Sequence, residues 1–538
     1  MPEITARNAT ERTIVNTASG LRLFPILAVV AFLSLNLLLV GNMGSANEVD
    51  VLPLAKQFAS PNWMPKDWYL NQPPSYRLLF QSIFGWLAEQ WGFLATSISG
   101  RLLSYGLVAS GLVSIARRLN LSLPLLLLAI SLFLAKQSVA ADEWLISALE
   151  AKSLAYGFVL LAIDLMLAGR YLWMAGLFGI ATSFHVLVGG WAFLTALGWL
   201  ALKPNLRLQG IRRFGLILLC YLVGSIFALQ AISQQLFSST SISVIAPSFI
   251  YVFLRLPHHL YPFAWSSKAW IAIAFYLIVF GASVTVLRYQ RSDSYPAQMK
   301  LAEFTVISLV PFVLGLAIAP FDSEGKLLQY YPFRFGDVML PLSTALLFVC
   351  AVKQIFDRKG RRVLMLVSVL ILSAILTVQS FNFKDKLLNL QQFPNVQQEI
   401  SSEWKELCAW VNRNTAKDAV LLVPPDSWFA AFTWLTERST VVNFKLLPQT
   451  KTGIIDWYQR LDDLSGRTVL QQAVSKRTLG GWNLSLAINA AYLKLTTPQV
   501  KALMTQYKAN YLVTKVSHRL ALPVAYRNQN YIVYTKRS

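Results

Sequence analysis

Apolar residues gather in long runs over the first 380 positions and then thin out, so the chain divides near residue 380 into two parts of different character. The runs fall near 21–41, 102–116, 121–138, 153–169, 171–185, 187–202, 214–235, 269–287, 302–319, 338–352 and 363–380. A helix needs about 20 apolar residues to cross a bilayer, and most of the runs approach that length. They predict an all-α polytopic membrane domain at 21–380, of about eleven transmembrane helices, behind a cytoplasmic N-terminus at 1–20. The first run follows Arg7, Arg12 and Arg22 as a signal peptide would. Gly41-Asn42-Met43 is a poor cleavage site, however, and the run is long enough to span.

The segment 42–101 is too long for a plain connector and carries Trp63, Trp68, Tyr69, Trp86 and Trp91. Its apolar residues take helical spacing from Tyr76 to Leu94, which predicts a helix lying along the membrane interface. Beyond 381 the pattern changes. Strand-like stretches at 418–423, 440–443, 510–514 and 530–534 alternate with helix-like stretches at 396–413, 454–464 and 484–507, predicting a small soluble α/β domain over 381–538.

Composition agrees with lipid as the solvent, since 55% of the 538 residues are hydrophobic and 14% charged. The formal net charge of +22 does not signal nucleic acid, because the basic residues sit in short loops between apolar runs. With the N-terminus inside, the inner loops hold fifteen Lys and Arg against Asp293, Glu303 and Asp357. The positive-inside rule then puts the loops 42–101, 139–152, 236–268 and 320–337, and the C-terminal domain, on the extracytoplasmic face. Cys220, Cys350 and Cys408 are too scattered for a disulfide framework or a metal cluster.

Candidate chemistry gathers on that outer side. Glu48 and Asp50, spaced i, i+2 just beyond the first span, can serve as a general base and an anchor for a cation or substrate, or they can be a solvated loop. Asp142 and Glu143, with Glu150 and Lys152, form a second acidic cluster that reads equally as an ion-paired surface helix. His185 ends the fifth run among apolar residues, where it either bonds a turn or touches a substrate hydroxyl. Arg255, His258 and His259 fall in the loop 236–268 and can meet a phosphate, a sugar or the membrane interface. Arg334, flanked by Tyr331, Phe333 and Phe335, suits an anionic headgroup, because a guanidinium keeps its charge and grips phosphate through paired donors. Asp164 reads as locally paired, four histidines without helical carboxylate offsets do not make a zinc site, and the C-terminal domain has no P-loop or dinucleotide glycine pattern.

Glu48-Val49-Asp50 fits the ExD form of the acidic signature in the first outer loop of the GT-C integral-membrane glycosyltransferases, and the whole plan resembles theirs. It is also similar to bacterial multi-span proteins with a soluble tail, from which no activity carries over. The GT-C resemblance implies transfer of a sugar from a polyprenyl-phosphate donor to an acceptor glycan, lipid or protein at the outer face of a bacterial inner membrane, with inversion. Asp50 would be the general base; Glu48, with Asp142 or Glu143, would position substrate or a divalent metal ion held by Glu48 and Asp50; Arg334 would neutralise the departing phosphate. The alternatives are a lipid or polysaccharide transporter and an inactive scaffold of the same plan. The implied partners are the bilayer, the lipid-linked sugar and its acceptor, with no nucleic acid.

Overall fold

The computed structural model describes residues 23–35, 47–73, 77–203, 211–237, 245–356, 358–389 and 401–536. The expected cytoplasmic segment 1–20, the end of the first run, Arg207 and Asp357 lie outside the described residues. In chain order the membrane part contains α1 (Leu23–Leu33), α2 (Glu48–Ala59), α3 (Leu78–Arg118), α4 (Leu123–Ala135), α5 (Ala151–Leu167), α6 (Tyr171–Phe184) and α7 (Val186–Ala201). There follow α8 (Ile211–Gly224), α9 (Ile226–Phe237), α10 (Ser267–Gln290), α11 (Tyr295–Ile318), α12 (Arg334–Ile355) and α13 (Arg358–Asn389).

Among the described residues, α3, α10, α11 and α12 are each long and apolar enough to cross a membrane alone. The helix pair α8 and α9 makes a fifth if taken as one bent span, and α1, α4, α6, α7 and the stretch Arg362–Ile375 are shorter apolar helices. The count of eleven full-length spans is therefore not reached by these helices. The most apolar window of α10 is only 17% buried, leaving Ile271, Phe275 and Ile278 exposed, a surface suited to hydrocarbon. The chain is an integral membrane protein.

Two expected elements take different shapes. The interfacial helix and the second span are one element, α3, bent at Gly92, whose φ of 75° is open to glycine at little cost. The single span at 214–235 is instead α8 and α9 meeting at 86°. Ser183 Oγ donates to the Gly224 carbonyl at the break, supplying the partner that an interrupted helix would otherwise lack.

Contacts sort the loops into two faces. Arg118 pairs with Asp164, Lys300 Nζ donates to the Leu167 carbonyl at 3.2 Å, Lys203 meets Glu303 and Gln354 donates to Ser292 Oγ, so the basic loops share one end. At the other end Asp337 reaches residues 139–143 and Trp191 Nε1 donates to the Tyr330 carbonyl. The C-terminal domain sits at this second end. Its sheet has the order β2-β1-β3-β5-β4, built from β1 (Val420–Leu422), β2 (Ser439–Thr440), β3 (Tyr511–Lys515), β4 (Val524–Arg527) and β5 (Tyr531–Thr535). Strand β1 runs parallel to β2 and β3, while β5 is antiparallel to β3 and β4. Helices α14 (Ser402–Asn414), α15 (Lys451–Leu464), α16 (Trp482–Tyr492) and α17 (Thr497–Gln506) and a short helix at Val469–Ser475 pack around it. The stretch read as one helix at 484–507 is two, because Thr496 and Gln499 form a capping box that starts α17 afresh.

Contacts of several kinds fasten this domain to the membrane part. Asp67 Oδ2 accepts from the Thr440 amide at 3.0 Å, Phe93 stacks on Trp434 at 4.3 Å, and the amides of Gly480 and Gly481 donate to the carbonyls of Phe253 and Leu254, both at 2.8 Å. The last pair lies on a π-helix, Ile250–Arg255. A Cβ on Gly480 would stand 2.0 Å from the Leu254 carbonyl oxygen, so the approach requires glycine.

Candidate functional site

The Glu48/Asp50 pair starts α2 rather than lying in a loop, and two acidic residues suit a first turn because they face the positive end of the helix dipole. Residues two apart on a helix are separated by about 200° around its axis, so the carboxylates diverge. Glu48 turns into the protein with no exposure. It accepts from Arg101 Nε at 2.8 Å, Arg101 Nη2 at 2.9 Å, Ser97 Oγ at 3.0 Å and the Leu149 amide at 2.7 Å. Asp50 turns the other way, towards a cavity of about 970 Å³. Tyr69 donates its hydroxyl to Asp50 Oδ1, and Arg77 Nη1 donates to Oδ2 at 3.1 Å.

The divergence speaks against the expected divalent ion. Both Glu48 oxygens are engaged by Arg101, both Asp50 oxygens have donors, and the two carboxylates face apart. Among the described residues no three His, Cys, Asp or Glu come together as a metal group. Glu48 and Asp50, so arranged, do not fit a shared metal ion.

The second acidic cluster is not a surface helix. Residues 136–149 run as irregular chain, largely buried, and Asp337 in the first turn of α12 organises them. Its Oδ1 accepts from the amides of Val139, Ala140 and Ala141 at 3.0, 2.7 and 3.1 Å, and its Oδ2 from that of Glu143 at 3.4 Å. This turns Asp142 out into solvent, away from the cavity, and Glu143 inward. Glu143 Oε1 accepts from Arg334 Nε and Nη2, both at 2.7 Å, and Lys152 Nζ lies 3.4 Å from its Oε2. Burial alone would raise the Glu143 carboxyl, but Arg334 and Lys152 outweigh it and hold the group well below the usual carboxylate range.

The Arg334 guanidinium carbon lies over Tyr331, 3.7 Å from the ring centre, and its Nη1 is 3.3 Å from His185 Nε2. His185 is the N-cap of α7, accepting from the Val188 amide, and it also lines the cavity. His259 Nδ1 donates to the Ala141 carbonyl at 2.5 Å. Burial lowers both loop histidines, pushing His258 down to about 3.

Facing Asp50 from the π-helix and the C-terminal domain are two further cations. Arg255 Nη2 donates to the Lys445 carbonyl at 3.1 Å, while its buried Nε has no hydrogen-bond partner among the described residues. Burial and the nearby Arg255 push the Lys445 ammonium down to about 8, against the pull of Asp50 and Glu150. The cavity is thus lined by five basic side chains, Arg77, Lys152, Arg255, Arg334 and Lys445, against the carboxylates of Asp50, Glu143 and Glu150. Of the residues anticipated from sequence, Asp50, Glu143, His185, Arg255, His258, His259 and Arg334 meet here, and Glu48 and Asp142 do not. Arg77, Lys445, Tyr69 and Asp337 were missed. Asp337, two residues after Phe335 and in the first turn of an apolar helix, carried the one readable signal, an acid at the edge of a span.

Beside the cavity an apolar groove of about 440 Å³ runs between α7 and α11, lined by Trp191, Leu194, Leu314, Ile318 and Leu327 among others. Val186, Leu187, Gly190 and Tyr330 line both spaces, so the groove and the charged cavity adjoin.

Residues 402–464 match a domain of unknown function, DUF6798. No curated protein matches the chain. Among solved structures the chain is similar to an oligosaccharyltransferase of Archaeoglobus fulgidus, crystallised with a tethered acceptor peptide containing the NVT sequon. The two are 11% identical over 92% of this chain and 69% of that one, with a TM-score of 0.41.

Proposed function

We propose that the protein is a GT-C-like glycosyltransferase that moves a sugar from a polyprenyl-phosphate donor to an acceptor hydroxyl at the extracytoplasmic membrane face. The reading is carried by one observation: Asp50 shares a cavity with a surplus of buried and half-buried cations, and that cavity adjoins an apolar groove. A lipid-linked sugar phosphate needs such a combination, a hydrocarbon-lined slot for the tail and cations for the phosphate.

In this reading Asp50 accepts the proton of the acceptor hydroxyl as its oxygen bonds to the anomeric carbon. The bond from that carbon to the phosphate oxygen breaks, and the electron pair leaves with the phosphate. Attack from the face opposite the phosphate inverts the anomeric centre. Tyr69 and Arg77 hold the carboxylate in one orientation. The charge growing on phosphate meets Arg255 and Lys445, with Arg334 contributing from beyond its pairing with Glu143. Arg334 is thereby a secondary contact, since Glu143 already takes two of its donors.

The test is transfer from a panel of polyprenyl-phosphate sugars in membranes containing wild type or Asp50→Asn. Loss of a general base is expected to lower turnover by about 10²- to 10⁴-fold. Undiminished transfer by the variant refutes the base, and a wild type that consumes no donor favours a transporter or an inactive scaffold.

A further inference from the structure

Loops leaving the carboxyl ends of parallel strands are free of the ladder, and in α/β sheets ligands bind there. The segments leaving β1 and β2 in the C-terminal domain carry Asp426-Ser427-Trp428 and Asn443-Phe444-Lys445, and Ser427, Phe444 and Lys445 reach the central cavity. Trp482, which opens α16, stands with them on the cavity wall while remaining 47% exposed. Trp428 meets it edge to face, with ring centres 4.7 Å apart and planes at 78°. That contact fixes the plane of the Trp482 indole.

Polar groups frame the ring. Asn483 is exposed on the cavity wall next to it. Ser427 Oγ lies 3.3 Å from Ser485 Oγ, and Ser485 Oγ donates to Asp426 Oδ1 at 3.2 Å, so the hydroxyls belong to an anchored network. A pyranose ring has an apolar face of C–H groups and a rim of hydroxyls, and a fixed indole bordered by amide and hydroxyl groups complements both. A hydrocarbon tail would find its match in the groove between α7 and α11, which Trp482 does not line.

We propose that Trp482, backed by Trp428 and flanked by Ser427 and Asn483, is a subsite for one neutral sugar ring of a glycan acceptor. The proposal rests on the glycosyl-transfer reading and deepens it by naming the acceptor class. It gives the C-terminal domain the task of holding the acceptor chain while its terminal hydroxyl enters the cavity.

Full-length protein in nanodiscs is titrated calorimetrically with maltohexaose, mannohexaose, chitohexaose and xylohexaose. At least one is expected to bind saturably, with Trp482→Ala weakening it roughly tenfold and Trp482→Phe staying within about threefold of wild type. No binding by any of the four overturns the proposal, as does equal binding by Trp482→Ala. So does a difference in quenching by brominated lipid between wild type and Trp482→Ala, which would make Trp482 a membrane anchor. The titration contains no donor and needs no turnover, so its failure leaves the transfer reading standing, and absence of transfer leaves the titration readable.

Discussion

Replacing Arg101 by Leu removes the two guanidinium donors to Glu48, at 2.8 and 2.9 Å, and takes the one buried cation paired with it from a carboxylate of zero exposure that also accepts from Ser97 and the Leu149 amide. An uncompensated buried charge of this kind costs about 3–5 kcal/mol, whereas replacing both members of a buried pair with apolar groups is often close to neutral. The double variant Glu48→Leu/Arg101→Leu is therefore expected to recover most of what Arg101→Leu loses, and the coupling between the sites should account for several kcal/mol of the cycle. The assay is the midpoint of thermal unfolding in detergent for wild type, both single variants and the double, with sugar transfer measured on the same samples. If Glu48 serves the fold rather than the reaction, stability and transfer return together in the double variant. Single variants within about 1 kcal/mol of wild type refute the electrostatic reasoning. A double variant that regains stability and stays inactive returns Glu48 to the reaction.

Three further outcomes follow from other parts of the molecule. Lys445 titrates near 8 in the folded protein, below its ordinary 10.5, so a phosphate that binds it should do so more weakly as pH rises through about 8. Binding above that pH should take up a proton, visible as a buffer-dependent heat, and Lys445→Arg should remove the dependence. Between about 8 and 10.5 the unfolded chain binds more protons than the folded one, so this group's contribution to stability rises with pH. Asp337→Ala strands four amides at once and is expected to speed hydrogen exchange across 139–143 selectively, while exchange in the sheet of the C-terminal domain stays at the wild-type rate. Gly480→Ala puts a Cβ 2.0 Å from the Leu254 carbonyl oxygen and should raise protease sensitivity between the two parts, a change that an unaltered digestion pattern would refute.

Much of the plan was legible because it is written in local pattern. Apolar runs located the helices around α5, α6, α7, α10, α11 and α12, and the basic residues of the short loops do share one end, through contacts such as Arg118 with Asp164 and Lys203 with Glu303. The strands at 420–422, 439–440, 511–515 and 531–535 fell where β-branched and aromatic residues cluster. β4 was missed because Pro523 precedes a short, polar-edged stretch that reads as a loop. The site was harder. Spacing of i, i+2 joins two carboxylates in an extended loop and separates them on a helix, so the reading of Glu48 and Asp50 turned on an element boundary, and the outer helix α2 was not foreseen. Partners far apart in sequence left no local trace: Arg101 lies 53 residues from Glu48, and Asp337 lies 194 from Glu143.

The clasp at the π-helix bears on what can be cut from this chain. The carbonyls of Phe253 and Leu254 stand at the end of a short, wide turn, where a helix has no further amides of its own to offer, and the amides of Gly480 and Gly481 answer them. Those amides come from more than two hundred residues downstream. A chain ending after α13 would lose more than an appended domain: it would leave two backbone oxygens without their donors beside Arg255, and one wall of the cavity would be missing. The membrane part and the soluble part are divisible by composition, but they fold as halves of a single enclosure.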